Sequence, residues 1–442
     1  MKKYIVALIV ISFIFATSCR KYVEIDSKSS RTLKYTSDYQ YLLNNTSTFE
    51  YSYGFPLLSN DDAGIDNTTY QNIILSQWAL TYTWVATRYS DSESDGDWER
   101  YYKQINICNA VTDGVMDSEG GTTNEKKTIL ALAKVHRAYA YLNLVNLYAP
   151  PYNASTASTD LGLPLLTTAD LYASLKRAPL AKVYEQIIAD LTSALPYLPD
   201  LPDYNSDPSK AAAYALLAEI NLEMRNFIQA GLYADSVLLL KSTLIDFNKY
   251  TSTSALPRKL EDPETIFSKL VGGNFYTVTL SSDLLTLLGT KDLRYKLLTA
   301  TNTYGRYYCR SSQGVSVGPN VPEMMLIKAE CAARAGDYTT PVNLINTLRS
   351  KRFTPTDYVA LTASSADDAL ALVINERRRE LFGRGFRWFD MRRLNQDNAF
   401  AKNYTRTFKG ENYTLEKNSS RYTYAIAQKY ILLNPEIEQN IY

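Results

Sequence analysis

The chain has 442 residues, 45% hydrophobic and 21% charged, so it can bury a core and fill one large domain or two to three ordinary ones. A formal charge of +1, with basic residues scattered along the chain, gives no field that would gather nucleic acid. The single histidine, His136, leaves little for a histidine metal cage or a serine–histidine dyad, whereas 36 tyrosines suit binding surfaces as well as cores.

Lys2 and Lys3 precede the apolar run Tyr4–Phe15, which is too short to span a bilayer comfortably, and small residues lead into Cys19. This resembles a bacterial lipoprotein signal and predicts a signal peptide over residues 1–18 with a lipidated Cys19; the competing reading is an ordinary cleaved signal. Residues 19–442 then follow as one unit held at a membrane surface by its lipid alone. Cys108, Cys309 and Cys331 are odd in number and have no C-x-x-C spacing, against a zinc site or a full disulfide framework. Cys108 and Cys331 fall in helical apolar patterns and are expected as buried thiols.

Residues 59–98 are polar, aromatic-bearing and without helical period, as functional loops are. Trp98–Met116 and Thr128–Tyr148 then read as helices. The second is apolar almost all round, so it is expected deep in the core, and it stops before Pro150 and Pro151. His136 lies inside it and reads as a hydrogen-bonded core histidine. Ala218–Tyr233 and Ala329–Leu344 share Ala-Glu, an aromatic at Phe227 or Tyr338, and a residue three further on, Ala230 or Pro341. That pattern resembles a tetratricopeptide-type helix pair: the aromatic fills the elbow and the small residue lets helices cross closely. The second helix of the later pair is expected to start at about Pro341. The fold class is therefore mainly α, a tetratricopeptide-like solenoid of about four helix pairs, broken by a second irregular portion over about residues 245–320.

The stretch NERRRELFGRGFRWFDMRR, Asn375–Arg393, crowds acids and arginines together. Glu376 and Glu380 share one helix face; as a catalytic pair they would need a pocket and a proton partner, and the arginines around them favour ionised acids. Gly383 ends the helix, and Gly385 permits a turn bringing Arg387, Asp390 and Arg393 back beside it as an ion-paired clasp.

These last residues carry a resemblance. ER-x-x-EL followed by G-x-R-x-x-D-x-x-R is similar to the C-terminal signature of the SusD/RagB-like outer-membrane lipoproteins of Bacteroidetes. The likeness runs from the lipoprotein start through YYKQINICN, HRAYAYLNLVNLY, KRAPLAKVYEQIIADL and VPEMMLIKAECAARAGDY to the terminal NPEIEQN. Arg384 departs from the family's Glu, and Ala425 and Ala427 stand where two prolines are usual. The resemblance implies a non-catalytic nutrient-binding lipoprotein of the outer membrane, exposed at the cell surface. It would deliver oligosaccharide to a SusC-like TonB-dependent transporter, with no cofactor, no metal and no nucleic acid. Trp78, Trp84, Asp61 and Asp62 occupy the region where relatives place binding side chains, and Tyr304, Tyr307 and Tyr308 belong to the mid-chain insertion that helps build the ligand site. Sugars offer flat C–H faces to aromatic rings and hydroxyl rims to Asp, Asn and Arg. Three other readings stay open: a RagB-like peptide binder, a tetratricopeptide-like interaction subunit without a small ligand, and a glycoside hydrolase using Glu376 and Glu380.

Overall fold

A computed structural model describes residues 33–273, 277–309 and 315–442; the expected signal peptide, residues 1–18, and Cys19 lie outside these. The described chain is mainly helical, with six short strands paired antiparallel in three two-stranded sheets, the first formed by β1 (Leu161–Pro164) and β2 (Arg177–Pro179). Nine of its helices have nine or more residues.

Helix α1 (Gly96–Gly114) starts at Asp95, whose carboxylate accepts the N–H groups of Asp97 and Trp98. A capping box between Thr122 and Glu125 starts α2 (Thr123–Tyr148), which is buried without interruption from Val135 to Tyr148. Helix α3 (Leu180–Ala194) lies on α2, fixed there by a two-pronged pairing of Arg137 with Asp190 at 2.8 and 2.7 Å. The two matched segments form α4 (Lys210–Glu223) with α5 (Phe227–Leu240), and α6 (Val321–Arg334) with α7 (Thr339–Arg349). Arg225 turns the first pair at φ 60°, and Gly336 the second at φ 93°. Helix α5 rests on α6 at Gly231, where an added Cβ would come within 3.2 Å of the Cys331 Cβ. Cys108 and Cys331 are buried free thiols, as the pattern predicts.

Three local expectations change. Phe227 sits at its elbow beneath the guanidinium groups of Arg225 and Arg334, but Tyr338 is 47% exposed and fills nothing. Helix α7 starts at Thr339, because Asp337 accepts the N–H groups of Thr339 and Thr340, so Pro341 falls within its first turn. His136 is in the core, its ring 4.3 Å from Phe49 and 5.6 Å from Phe267, yet its Nδ1 has no protein partner. Burial and the charge of Lys269 keep that imidazole neutral, far below its usual pKa.

The C-terminal helices α8 (Ala366–Leu381) and α9 (Phe386–Leu394) form the predicted clasp, with different partners. Glu376 and Glu380 pair not with Arg387 or Arg393 but with Arg379 of the same helix and with arginines distant in sequence. Arg294 reaches Asp292, Glu376 and Glu380 at 2.6, 2.8 and 2.7 Å, and Arg352 holds Glu380 and Glu264 at 2.8 and 2.7 Å. The short helix Leu293–Leu297 supplies Arg294, and the turn that follows α7 supplies Arg352. Arg393 instead pairs with Asp390 and, through two hydrogen bonds, with Glu330 of α6. Arg334 and Arg225 extend this second chain of charges to Asp397. Gly383 and Gly385, at φ 69° and 85°, make the tight link between the two helices. An added Cβ would lie 2.4 Å from the Tyr308 ring at Gly383 and 2.7 Å from the Tyr53 ring at Gly385.

Burial pushes Glu380 and Asp390 upward, but the facing arginines outweigh it and hold both at about 2. Because these folded values lie below the unfolded one, the stability they contribute is complete above the ordinary carboxylate range and is lost as pH falls through about 4 toward 2. Acid unfolding followed by circular dichroism should lie in that window. Glu380→Gln leaves Arg294 and Arg352 short of countercharge and is expected to cost about 3–5 kcal/mol in urea unfolding at neutral pH.

Candidate ligand-binding site

The two irregular regions meet in space. Gly64 N–H donates to the Thr279 carbonyl at 2.8 Å, the Thr279 hydroxyl donates back to the Gly64 carbonyl at 2.6 Å, and Leu280 N–H donates to the Arg306 carbonyl at 2.7 Å. Only glycine fits at position 64, where a Cβ would lie 2.5 Å from the Ser281 Cα. Strands β3 (Thr299–Asn302) and β4 (Gly305–Tyr308) form the hairpin that carries Tyr304 in its turn, with the Tyr304 N–H held by Asn302 at 2.8 Å. Opposite it, Asn67 caps a short helix, Thr68–Ile73. Tyr70 of that helix stacks on Tyr304 with ring centroids 4.9 Å apart and planes 12° from parallel. A second hairpin, β5 (Tyr404–Phe408) and β6 (Glu411–Leu415), closes the other side: Gln71 receives the Lys409 N–H at 2.8 Å and donates to the Ile65 carbonyl at 2.7 Å.

The predicted ligand residues divide into two groups. Tyr304, Tyr307 and Trp78 are partly exposed. Trp84 is only 4% exposed: its indole N–H donates to the Ser59 carbonyl at 2.8 Å, and the Arg406 guanidinium lies 4.3 Å from its ring. Tyr308 is also buried, edge-on to Phe382 at 5.2 Å beneath Gly383. In this conformation both rings are closed to a ligand.

Asp61 and Asp62 belong to the clasp as much as to the loop. Arg387 grips Asp61 through two hydrogen bonds of 2.6 and 3.0 Å, and Arg378 holds Asp62 at 2.5 Å. Burial raises Asp61, but Arg387 and Arg378 overcome it and hold this carboxyl well below the usual range. Asp62 goes the other way, because burial and the neighbouring Asp61 outweigh Arg378. Sequence reasoning missed Tyr70 and Arg406. Tyr70 ends the polar run SNDDAGIDNTTY, and the alternation YTRTF-KG-ENYTL signals the hairpin bearing Arg406. Among the described residues, no group of three or more His, Cys, Asp or Glu could hold a metal ion.

Two family models cover most of this architecture. Residues 21–222 match a SusD-like model described as starch-binding and associating with the outer membrane, and residues 322–442 match the SusD family model that includes RagB. The chain belongs to the SusD/RagB-like family. SusD-like protein P2 of Formosa agariphila is 31% identical over 144 residues, 32% of this chain and 26% of that protein. SusD-like protein P38 of the same organism is 27% identical over 124 residues, 27% of this chain and 23% of that protein. These matches therefore span only about a quarter of the curated relatives' own length. In fold the likeness is nearly complete. A SusD superfamily protein from Bacteroides thetaiotaomicron superposes with a TM-score of 0.76 at 21% identity, covering 92% of this chain and 100% of that one. A laminarin-binding SusD-like protein superposes with a TM-score of 0.65 at 17% identity, covering 92% and 99%. Among the described residues of this SusD/RagB-like chain, no helix is long and apolar enough to cross a membrane.

The placement of the four tryptophans gives a direct check. Trp84, Trp98 and Trp388 are 4%, 6% and 0% exposed, whereas Trp78 is partly open. Trp78→Phe should remove most of the acrylamide-quenchable emission, and Trp84→Phe should leave the quenching constant nearly unchanged.

Proposed function

We propose that this protein is a non-catalytic carbohydrate-binding lipoprotein of the outer membrane. It captures oligosaccharide on the face where residues 59–98 meet the β3–β4 hairpin and passes it to a SusC-like TonB-dependent transporter. The observation that carries the reading is the Tyr70–Tyr304 stack, which joins both irregular regions and backs a partly exposed ring. A ring fixed from behind offers a sugar its face at little further entropic cost. The family model's starch-binding description and the laminarin-binding fold relative support a glucan-type ligand. Removal of residues 1–18, lipidation at Cys19 and a single unit over 19–442 complete the proposal.

Glu376 and Glu380 are unsuited to glycoside hydrolysis here. They are 0% and 4% exposed and are held by Arg294, Arg349, Arg352 and Arg379. A catalytic acid needs a raised pKa and a path to substrate, and both of these carboxyls are shifted downward against the push of burial.

The test is calorimetric titration of the purified protein with laminarin, starch-type glucans, charged polysaccharides and a peptide digest. Saturable binding of a glucan, weakened about tenfold by Tyr304→Ala, is the expected result. Binding of peptides alone would sink the carbohydrate reading, and unchanged glucan affinity in Tyr304→Ala would remove the site from this face.

A further inference from the structure

A cavity of about 30 Å³ lies where α2, α4, α6, α8 and α9 meet, away from the proposed ligand face. Its lining includes Tyr53, Tyr139, Glu219, Glu323, Arg377 and Asp390. Three of these side chains have a buried polar atom with no protein partner: Glu219 Oε1, Glu323 Oε2 and Arg377 Nη1. Glu323 and Arg377 are 1% and 3% exposed, so bulk solvent does not serve them. A water needs about 10–15 Å³ of such space and makes about three hydrogen bonds when buried. The cavity has room for one or two, and one N–H donor with two carboxyl acceptors is the complement of a single water molecule.

The surrounding charges are unequal. Helix α4 contributes Glu219 and Glu223, α6 contributes Glu323 and Glu330, α8 contributes Arg377, and α9 contributes Asp390, Arg392 and Arg393; Arg384 approaches from the α8–α9 link. Arg377 and Arg393 are committed to Asp390, and Arg393 also to Glu330. Arg392 donates to the Ala149 and Tyr422 carbonyls. Tyr139 is occupied by the Ser52 hydroxyl, and Tyr53 donates to the Arg384 carbonyl. Glu219, Glu223 and Glu323 are thus left short of countercharge in a low-dielectric space.

We propose that this cavity is a hydration site whose water links Arg377 to Glu219 and Glu323, and that these two carboxyls keep one proton between them at neutral pH. The junction between the helix pairs and the C-terminal clasp is then proton-sensitive. Burial, opposed by Arg377, moves Glu323 up to about 7, and burial together with the Glu323 charge moves Glu219 up as well. For groups raised in this way, stability is complete below the unfolded carboxylate value and is lost as pH rises through about 7, opposite in sign to Glu380 and Asp390.

Two measurements test the proposal. A crystal structure of the protein at high resolution should show a density peak within hydrogen-bonding distance of all three atoms. The Tm of Glu323→Gln minus that of wild type should grow by about 2 °C per pH unit between pH about 5 and about 7, a difference that cancels the opposing titration of His136. Glu219→Gln should show the same trend and serves if Glu323→Gln does not fold. A dry cavity, a peak at the shorter contacts of a bound cation, or curves that stay parallel to wild type overturn it.

Discussion

An arginine cannot shed its proton in a protein, so each one taken out of water must be met by an oxygen. Arg294, Arg352, Arg392 and Arg393 are each no more than 2% exposed, and much of the architecture follows from how they are met. One set meets carboxylates: Arg294 and Arg352 on Glu380, Arg393 on Glu330 and Asp390. Another set meets backbone carbonyls in place of carboxylates, with the Asn440 amide oxygen added at Arg177. Arg406 donates to Leu58, Tyr82 and Asn60; Arg177 to Gly162, Leu161 and Tyr148; Arg392 to Ala149 and Tyr422. The two sets differ electrostatically. Burial draws Arg406 and Arg177 down to about 10, whereas in Arg352 the facing carboxylates outweigh burial and raise it. The carbonyl-bound arginines also solve a problem for loops, whose C=O groups have no ladder of their own.

This division links the scaffold to the proposed binding face. The segment after Ser59 has little regular structure, yet its acids are pinned by Arg378 and Arg387 and its carbonyls by Arg406. Tyr70 and Tyr304 therefore stack between elements that are each fastened elsewhere. A binding surface of the kind proposed does not need long strands or helices beneath it; it needs loops whose polar groups are already satisfied.

The helices were legible where a single local rule decided them. The all-round apolar run of α2, its stop before Pro150, and the matched α4–α5 and α6–α7 segments can be read from period and punctuation alone. The clasp was legible as a charged corner, but not in its pairings. Glu376 has Arg379 within its own helix and also Arg294 and Arg349, and no spacing rule joins residues 27 or more positions apart. The proposed binding face rests on two regions that the sequence marks as irregular, and its residues were blurred. Trp84 and Trp78 lie six positions apart in similar surroundings, and only the approach of Arg406 from a distant hairpin decides that one is core. Tyr338 shows the reverse error: its position matches that of Phe227, but Phe227 is held by two arginines and Tyr338 is left in solvent.

The span of the ion pairs also bears on the order in which the chain can finish folding. Asp61 waits 326 positions for Arg387, Asp62 waits 316 for Arg378, and Arg294 waits 86 for Glu380. Until the last fifth of the polypeptide is present, the earlier portion lacks these countercharges, Arg294 having Asp292 alone, and closing it early would leave charge poorly compensated in a low-dielectric interior. These pairings can be completed only with α8 and α9 in place. A polypeptide arranged in this way cannot complete its charge pairing on a truncated length.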